Sequence, residues 1–145
     1  MTCAPEARCV DDVVLNKAAV IERCVERVRE EHGGDPASLT ASLTKQDSII
    51  LNLQRATEAS IDLSMHLVRV RRLGIPQESR GGFELLAAAG VLPRPLADAL
   101  KRMVGFRNIA VHDYRKLDLA VVDAIVRLHL DELLEFARLA VRASG

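Results

Sequence analysis

Arg107, Asn108, His112, Tyr114 and Arg115 crowd two guanidinium groups, an amide, an imidazole and a phenol into nine consecutive positions. A guanidinium grips phosphate oxygens through a planar fork of N–H donors. An imidazole is the side chain best suited to accept a proton near neutral pH. Together they suit chemistry on a phosphate ester. Read as one continuous helix, Arg107 and His112 stand about 140° apart around the axis. Arg107, Val111 and Tyr114 then fall close together, and Asn108, His112 and Arg115 continue the same arc. Lys101, Arg102 and Lys116 add positive charge against Asp113. The chain as a whole is neutral, with 20 basic and 20 acidic residues, so any case for an anion site rests on this local clustering.

An Arg and a His at this spacing also occur on ordinary solvated helices, so the elements that carry them matter. Apolar residues make up 49% of the 145-residue chain and aromatics only 3%. That composition suits one domain, residues 1–145, with an interlocked core of Leu, Val, Ile and Ala, rather than a β-sandwich. Val10, Val13, Val14, Ile21, Cys24, Val25 and Val28 recur at helical spacing, and His32-Gly33-Gly34-Asp35-Pro36 stops that first helix. A long second helix is expected from Thr44, as cap, with Asp47 reaching back to it, until Gly74. A short third helix holds Phe83, Leu85, Leu86 and Ala89, with Gly81 and Gly82 weakening its start. The fourth begins around Pro95 and runs towards Tyr114. Asp118 caps a fifth, with Val122, Ile125, Val126, His129, Leu133, Phe136 and Ala140 inward. The expected architecture is all-α, an up-and-down bundle of about five helices.

Other polar residues carry weaker cases. Glu58 and Asp62 share a helix face; pairing with Arg55 or plain solvation is the stronger reading, with lining of a cleft a secondary one. His66 and His129 read as bundle histidines, and His32 as a partner of the first helix's C-terminus. Arg69, Arg71, Arg72 and Arg80 read as a solvated face. No His or Cys spacing suits a metal, and no glycine-rich phosphate loop is present, so neither a metal nor a cofactor is expected. Cys3, Cys9 and Cys24 form no CxxC pair and read as reduced thiols. The start Met1-Thr2-Cys3-Ala4-Pro5-Glu6 is unlike a signal peptide, and no apolar run approaches the roughly 20 residues of a membrane span. A cytoplasmic protein without membrane contact is expected.

The segment Arg107 to Tyr114 resembles the Arg-x4-His-x-Tyr signature of HepT-like proteins, within the HEPN group of helical ribonucleases. Leu51 to Asp62 is similar to that family's long second helix, and Phe83 to Leu92 to its short third one. Roughly residues 10–142 are covered, with Arg80-Gly81-Gly82 departing from the more helical start expected there. The resemblance implies a dimeric, metal-independent endoribonuclease toxin with Arg107 and His112 catalytic and Asn108 and Arg115 binding or orienting substrate. His112 would take the proton of a ribose 2′-hydroxyl and Arg107 would stabilise the phosphoryl charge. A second copy's His112, across a two-fold axis near the fourth helices, would protonate the leaving oxygen. It further implies a partner nucleotidyltransferase, the antitoxin, that attaches AMP to Tyr114, in a homodimer or a larger hetero-oligomer. Transfer and messenger RNA both fit a site centred on phosphate, because stacking aromatics are nearly absent. The alternative is a catalytically silent helical subunit of that nucleotidyltransferase.

Overall fold

The computed structural model describes residues 11–144. Among them are seven α-helices and no strand: α1 (Asp12–His32), α2 (Ala37–Thr40), α3 (Leu43–Arg71), α4 (Gly81–Ala88), α5 (Arg94–His112), α6 (Leu119–Leu128) and α7 (Leu130–Ser144). A single 3-10 turn, Tyr114–Lys116, links α5 to α6. The expected all-helical bundle is what forms. No helix among the described residues is long and apolar enough to cross a membrane. Val10, Cys3 and Cys9 lie outside the described residues.

Asp11 starts α1 by accepting the amides of Val13 (2.8 Å) and Val14 (3.4 Å), and Gly33 closes it in the left-handed region at φ 59°. Both ends thus satisfy backbone groups that the helix itself cannot. The buried stripe is Val14, Ala18, Ile21, Cys24, Val25 and Val28, with Val13 turned to solvent instead. This stripe packs along α3, the central helix, which also touches α2, α4, α5 and α7.

Ser42, not Thr44, caps α3: its hydroxyl accepts the Lys45 amide at 3.2 Å. Asp47 is thereby released from the capping role expected of it. The α3 hydroxyls that face the core are satisfied locally, Thr57 on the Leu53 carbonyl, Ser60 on Ala56 and Ser64 on Ile61. At the far end Arg72 takes the left-handed exit at φ 56°, a position glycine would occupy with less strain.

The glycine pair at the start of α4 has a packing reason. A Cβ on Gly82 would lie 2.4 Å from Ser64 Oγ and 3.1 Å from Ser64 Cβ, so α4 can approach α3 closely only with glycine there. Phe83, next in sequence, is fully buried and meets Phe136 of α7 edge-on, with ring centroids 5.5 Å apart. Burying a ring of this size contributes about 1.5–3 kcal/mol, and the edge-on geometry suits the ring quadrupoles.

The expected fifth helix is two. Asp118 does cap α6, accepting the Ala120 amide at 2.9 Å, but the helix breaks at His129 and resumes as α7. The His129 ring Nδ1 lies 2.7 Å from Glu132 of the new first turn.

Candidate active site at the end of helix α5

α5 opens with Pro93 as N-cap and Pro95 inside the first turn, where the missing amide costs nothing. Its buried face, from Leu96 and Leu100 through Val104 and Phe106 to Ala110, presses against α3 and leaves Arg107, Asn108 and His112 off the core. Asn108 is half-buried.

Arg107 is half-buried and held from outside the helix. Its Nη2 donates to Ser79 Oγ at 3.1 Å, while its Nε is buried with no hydrogen-bond partner. Ser79 belongs to the segment between α3 and α4, which lies over α5. Arg80 of the same segment donates from Nε to the Lys101 carbonyl at 3.2 Å, and Gly105 leaves room for its guanidinium, 3.1 Å from where a Cβ would stand. The α3–α4 connection is therefore buttoned onto α5 at two points. The fold thus holds this guanidinium through Nη2 and leaves its buried Nε unsatisfied; a guanidinium's planar fork suits phosphate oxygens.

His112 is the last residue of α5 and is exposed. The helix ends there because Asp113 leaves helical geometry at φ −154°, ψ 68°, its amide closing on the Ile109 carbonyl at 2.8 Å. The helix end places the imidazole beside the partial negative charge of the last carbonyls. Within one chain Arg107 and His112 are thus in different surroundings, one gripped by Ser79 and one open to solvent.

The expectation that helix geometry runs on to Tyr114 is corrected by this break. Tyr114 and Arg115 sit in the 3-10 turn, so the single arc read from an unbroken helix does not exist beyond His112. Arg115 is exposed, and Asp113 pairs with Lys116 at 3.4 Å. Tyr114, 42% exposed, donates its hydroxyl to Asp47 Oδ1 of α3 at 2.7 Å. Partial burial, and then the hydrogen bond and charge of Asp47, push the phenol pKa up to about 12.

Glu58 and Asp62 are placed elsewhere. They line a hollow between α1 and α3 with Lys17, Arg23, Arg27 and Arg55, and Asp62 pairs with Lys17 at 3.1 Å. α5 contributes no lining residue to that hollow. The remaining histidines have structural partners. His66 lies between Asp11 (2.5 Å) and Arg69 (2.9 Å). His32, expected to serve the end of its own helix, is buried and reaches Asp123 of α6 at 2.7 Å. Arg71 likewise donates to the Ala143 carbonyl rather than facing solvent alone. Among the described residues no group of three or more His, Cys, Asp and Glu side chains is arranged to hold a metal ion.

Asp47 and Ser79 are the two residues at the site that sequence reasoning missed. The sequence pattern points Asp47 to a helix cap and gives Ser79 no role. Each meets its partner across a long stretch of chain, 67 and 28 positions respectively, so no local pattern marks them.

An all-helical bundle with an Arg and a His on the last two turns of α5 belongs to a recognisable class. The family model described as HepT-like ribonuclease matches residues 21–140. Over 127 residues the chain is 47% identical to the mRNA nuclease HepT of Shewanella oneidensis strain MR-1, spanning 88% of this chain and 95% of that protein. Its fold matches the tri-AMPylated Shewanella oneidensis HEPN toxin in complex with MNT antitoxin at a TM-score of 0.84, with 46% identity and coverage of 89% of this chain and 96% of that one. A second solved structure, a toxin–antitoxin with AMP-PNP, matches equally at 0.84 and 46% identity, over 89% of this chain and 97% of its own. The chain belongs to the HepT-like ribonuclease family.

Proposed function

We propose that the chain is a metal-independent endoribonuclease toxin, kept silent by a nucleotidyltransferase antitoxin that transfers AMP to Tyr114, and that it works in the cytoplasm. The observation that carries the reading is Arg107, half-buried and held by Ser79, one and a half turns from an exposed His112. It stands in a chain 47% identical to an mRNA nuclease.

In the proposed mechanism His112 accepts the proton of a ribose 2′-hydroxyl, whose oxygen attacks the adjacent phosphorus and expels the 5′-oxygen of the next nucleotide. The Arg107 guanidinium stabilises charge on the non-bridging oxygens. Asn108 and Arg115 bind or orient the phosphate backbone. One imidazole supplies a base and leaves the departing oxygen without an acid. We therefore pair two copies about a two-fold axis near α5, so that the second His112 protonates it. Exposed apolar side chains support this pairing: Ile109 and Val111 on the last turn of α5 are each 44% exposed, and Val121 of α6 is 52%. An apolar groove lined by Met103, Phe106, Ile109, Leu117, Val121 and Ile125 runs between these helices. AMP on Tyr114 would set an anionic phosphate and a bulky nucleoside two residues from His112, where RNA phosphate must come.

The test is cleavage of messenger and transfer RNA in the presence of a chelator, with wild-type protein and His112→Ala. Cleavage by the wild type alone is expected. Undiminished cleavage by the variant would reject the assignment. Inert wild-type protein that still binds the nucleotidyltransferase would instead support the silent-subunit reading.

A further inference from the structure

Nucleotide transfer to a tyrosine requires somewhere for the phenolic proton to go. Tyr114 is the chain's only tyrosine, and its hydroxyl already donates to Asp47 Oδ1 at 2.7 Å. Both side chains are exposed, so a nucleotide can reach the pair from solvent. We propose that Asp47 is the proton acceptor when Tyr114 is nucleotidylated, so that the toxin chain supplies the base for its own modification. The inference rests on Tyr114 being the modified residue.

A lone pair of Tyr114 Oη attacks the α-phosphorus of a nucleoside triphosphate and forms an O–P bond. The bond from that phosphorus to the oxygen bridging the β-phosphate breaks, and its electron pair leaves with pyrophosphate. The phenolic proton passes along the existing hydrogen bond to Asp47 and is later lost to water. No side chain has to move to make this path. Because the phenol is held at about 12, free tyrosinate is scarcer here than for an ordinary tyrosine, and transfer to a waiting carboxylate gains in importance.

The same carboxylate also acts on the product. Once the hydroxyl carries AMP, its donor is gone and a phosphodiester anion faces Asp47. Repulsion between the two anions then disfavours the adduct remaining against Asp47. The other charged residues of the two turns are Lys45, Asp113, Arg115 and Lys116.

The experiment measures AMP transfer by intact mass, using the full chain, its nucleotidyltransferase, ATP and Mg²⁺. Wild type, Asp47→Asn, Asp47→Glu and Tyr114→Phe are compared between about pH 6 and 9, a window bracketing carboxylate-assisted and hydroxide-assisted deprotonation. Asp47→Asn is expected to lower kcat by at least ~10-fold near neutrality, to recover as pH rises, and to leave KM for the toxin unchanged. Asp47→Glu is expected to restore most of the rate. A wild-type rate and pH profile in Asp47→Asn, or a loss confined to KM, would overturn the role of Asp47 while leaving Tyr114 as the target. AMP addition to Tyr114→Phe would overturn the target itself.

Discussion

The Tyr114 hydroxyl and the Asp47 carboxylate, 67 residues apart in the chain, meet across 2.7 Å and tie the turn after α5 to the start of α3. The bond settles where the phenol lies, and it also sets how that phenol ionises. Partial burial first, and then Asp47, raise its pKa from 10 to about 12. With one tyrosine and no tryptophan in the chain, its titration can be followed cleanly by ultraviolet absorbance. In Asp47→Ala the midpoint should fall part of the way back, since burial remains. The neutral phenol is the form the fold favours, so the bond's contribution to stability is complete below the unfolded value near 10. It disappears as pH climbs through about 12. A wild-type midpoint at the ordinary tyrosine value would refute the coupling.

His112 is exposed and closes its helix through backbone bonds that do not involve its side chain. His112→Ala should therefore leave circular dichroism and Tm unchanged while lowering RNA cleavage by ~10²–10⁴-fold, the usual contribution of a general base.

Arg107 is a different case, because its planar group bridges from the helix to Ser79. Lysine cannot reproduce that fork, so Arg107→Lys should lose ~10²–10³-fold in cleavage rate despite keeping the charge. Ser79→Ala frees the guanidinium without removing it and should cost less, up to ~10²-fold through misplacement. Single-turnover cleavage assays rank the three proteins. Equal rates for Ser79→Ala and wild type would remove Ser79 from the site.

Gly82 permits the close approach of α4 to α3, and an added methyl would meet Ser64 Oγ at 2.4 Å. Gly82→Ala should destabilise the fold by about 1–3 kcal/mol, the range for overpacking a tight interior. Adding Ser64→Ala removes the hydroxyl but leaves Ser64 Cβ at 3.1 Å, so recovery should be partial. Urea denaturation of the two single variants and the double one measures the coupling.

Three carboxyls are held below their ordinary range. Asp11 is lowered chiefly by its bond to His66, Asp123 by His32 and then Arg127, and Glu84, to about 2, by Arg94 and then Lys101. A depressed folded pKa contributes stability above the unfolded value, near 4, and that contribution fades as pH falls through the folded one. Tm should hold above about pH 5 and fall steeply below about pH 4. Asp123→Asn should flatten that fall, and salt should weaken the exposed Glu84 cluster first. A Tm that stays level from about pH 5 to 3 would contradict the assignment.

Helix existence was written locally. The apolar stripe of α1 with Gly33 behind it, Pro95 in the first turn of α5 and the cap at Asp118 all act over one or two turns, and each element formed where its pattern lies. Boundaries were less legible. Ser42 and Thr44 are both competent caps, and only packing chose between them. The break at His129 interrupts a stripe that reads as continuous, and nothing in the local pattern marks it.

The amino-acid sequence alone determined that this chain is a helical bundle and that Arg107, Asn108 and His112 share the end of one helix. Those outcomes depend on hydrophobic periodicity and local backbone chemistry. Tertiary structure decided that Glu58 and Asp62 face α1 and not α5, that Tyr114 lies beyond the helix, and that Asp47 and Ser79 serve it and Arg107. Such pairings join residues that only the packing of whole helices brings within hydrogen-bond reach, and no spacing along the chain encodes a distance across it.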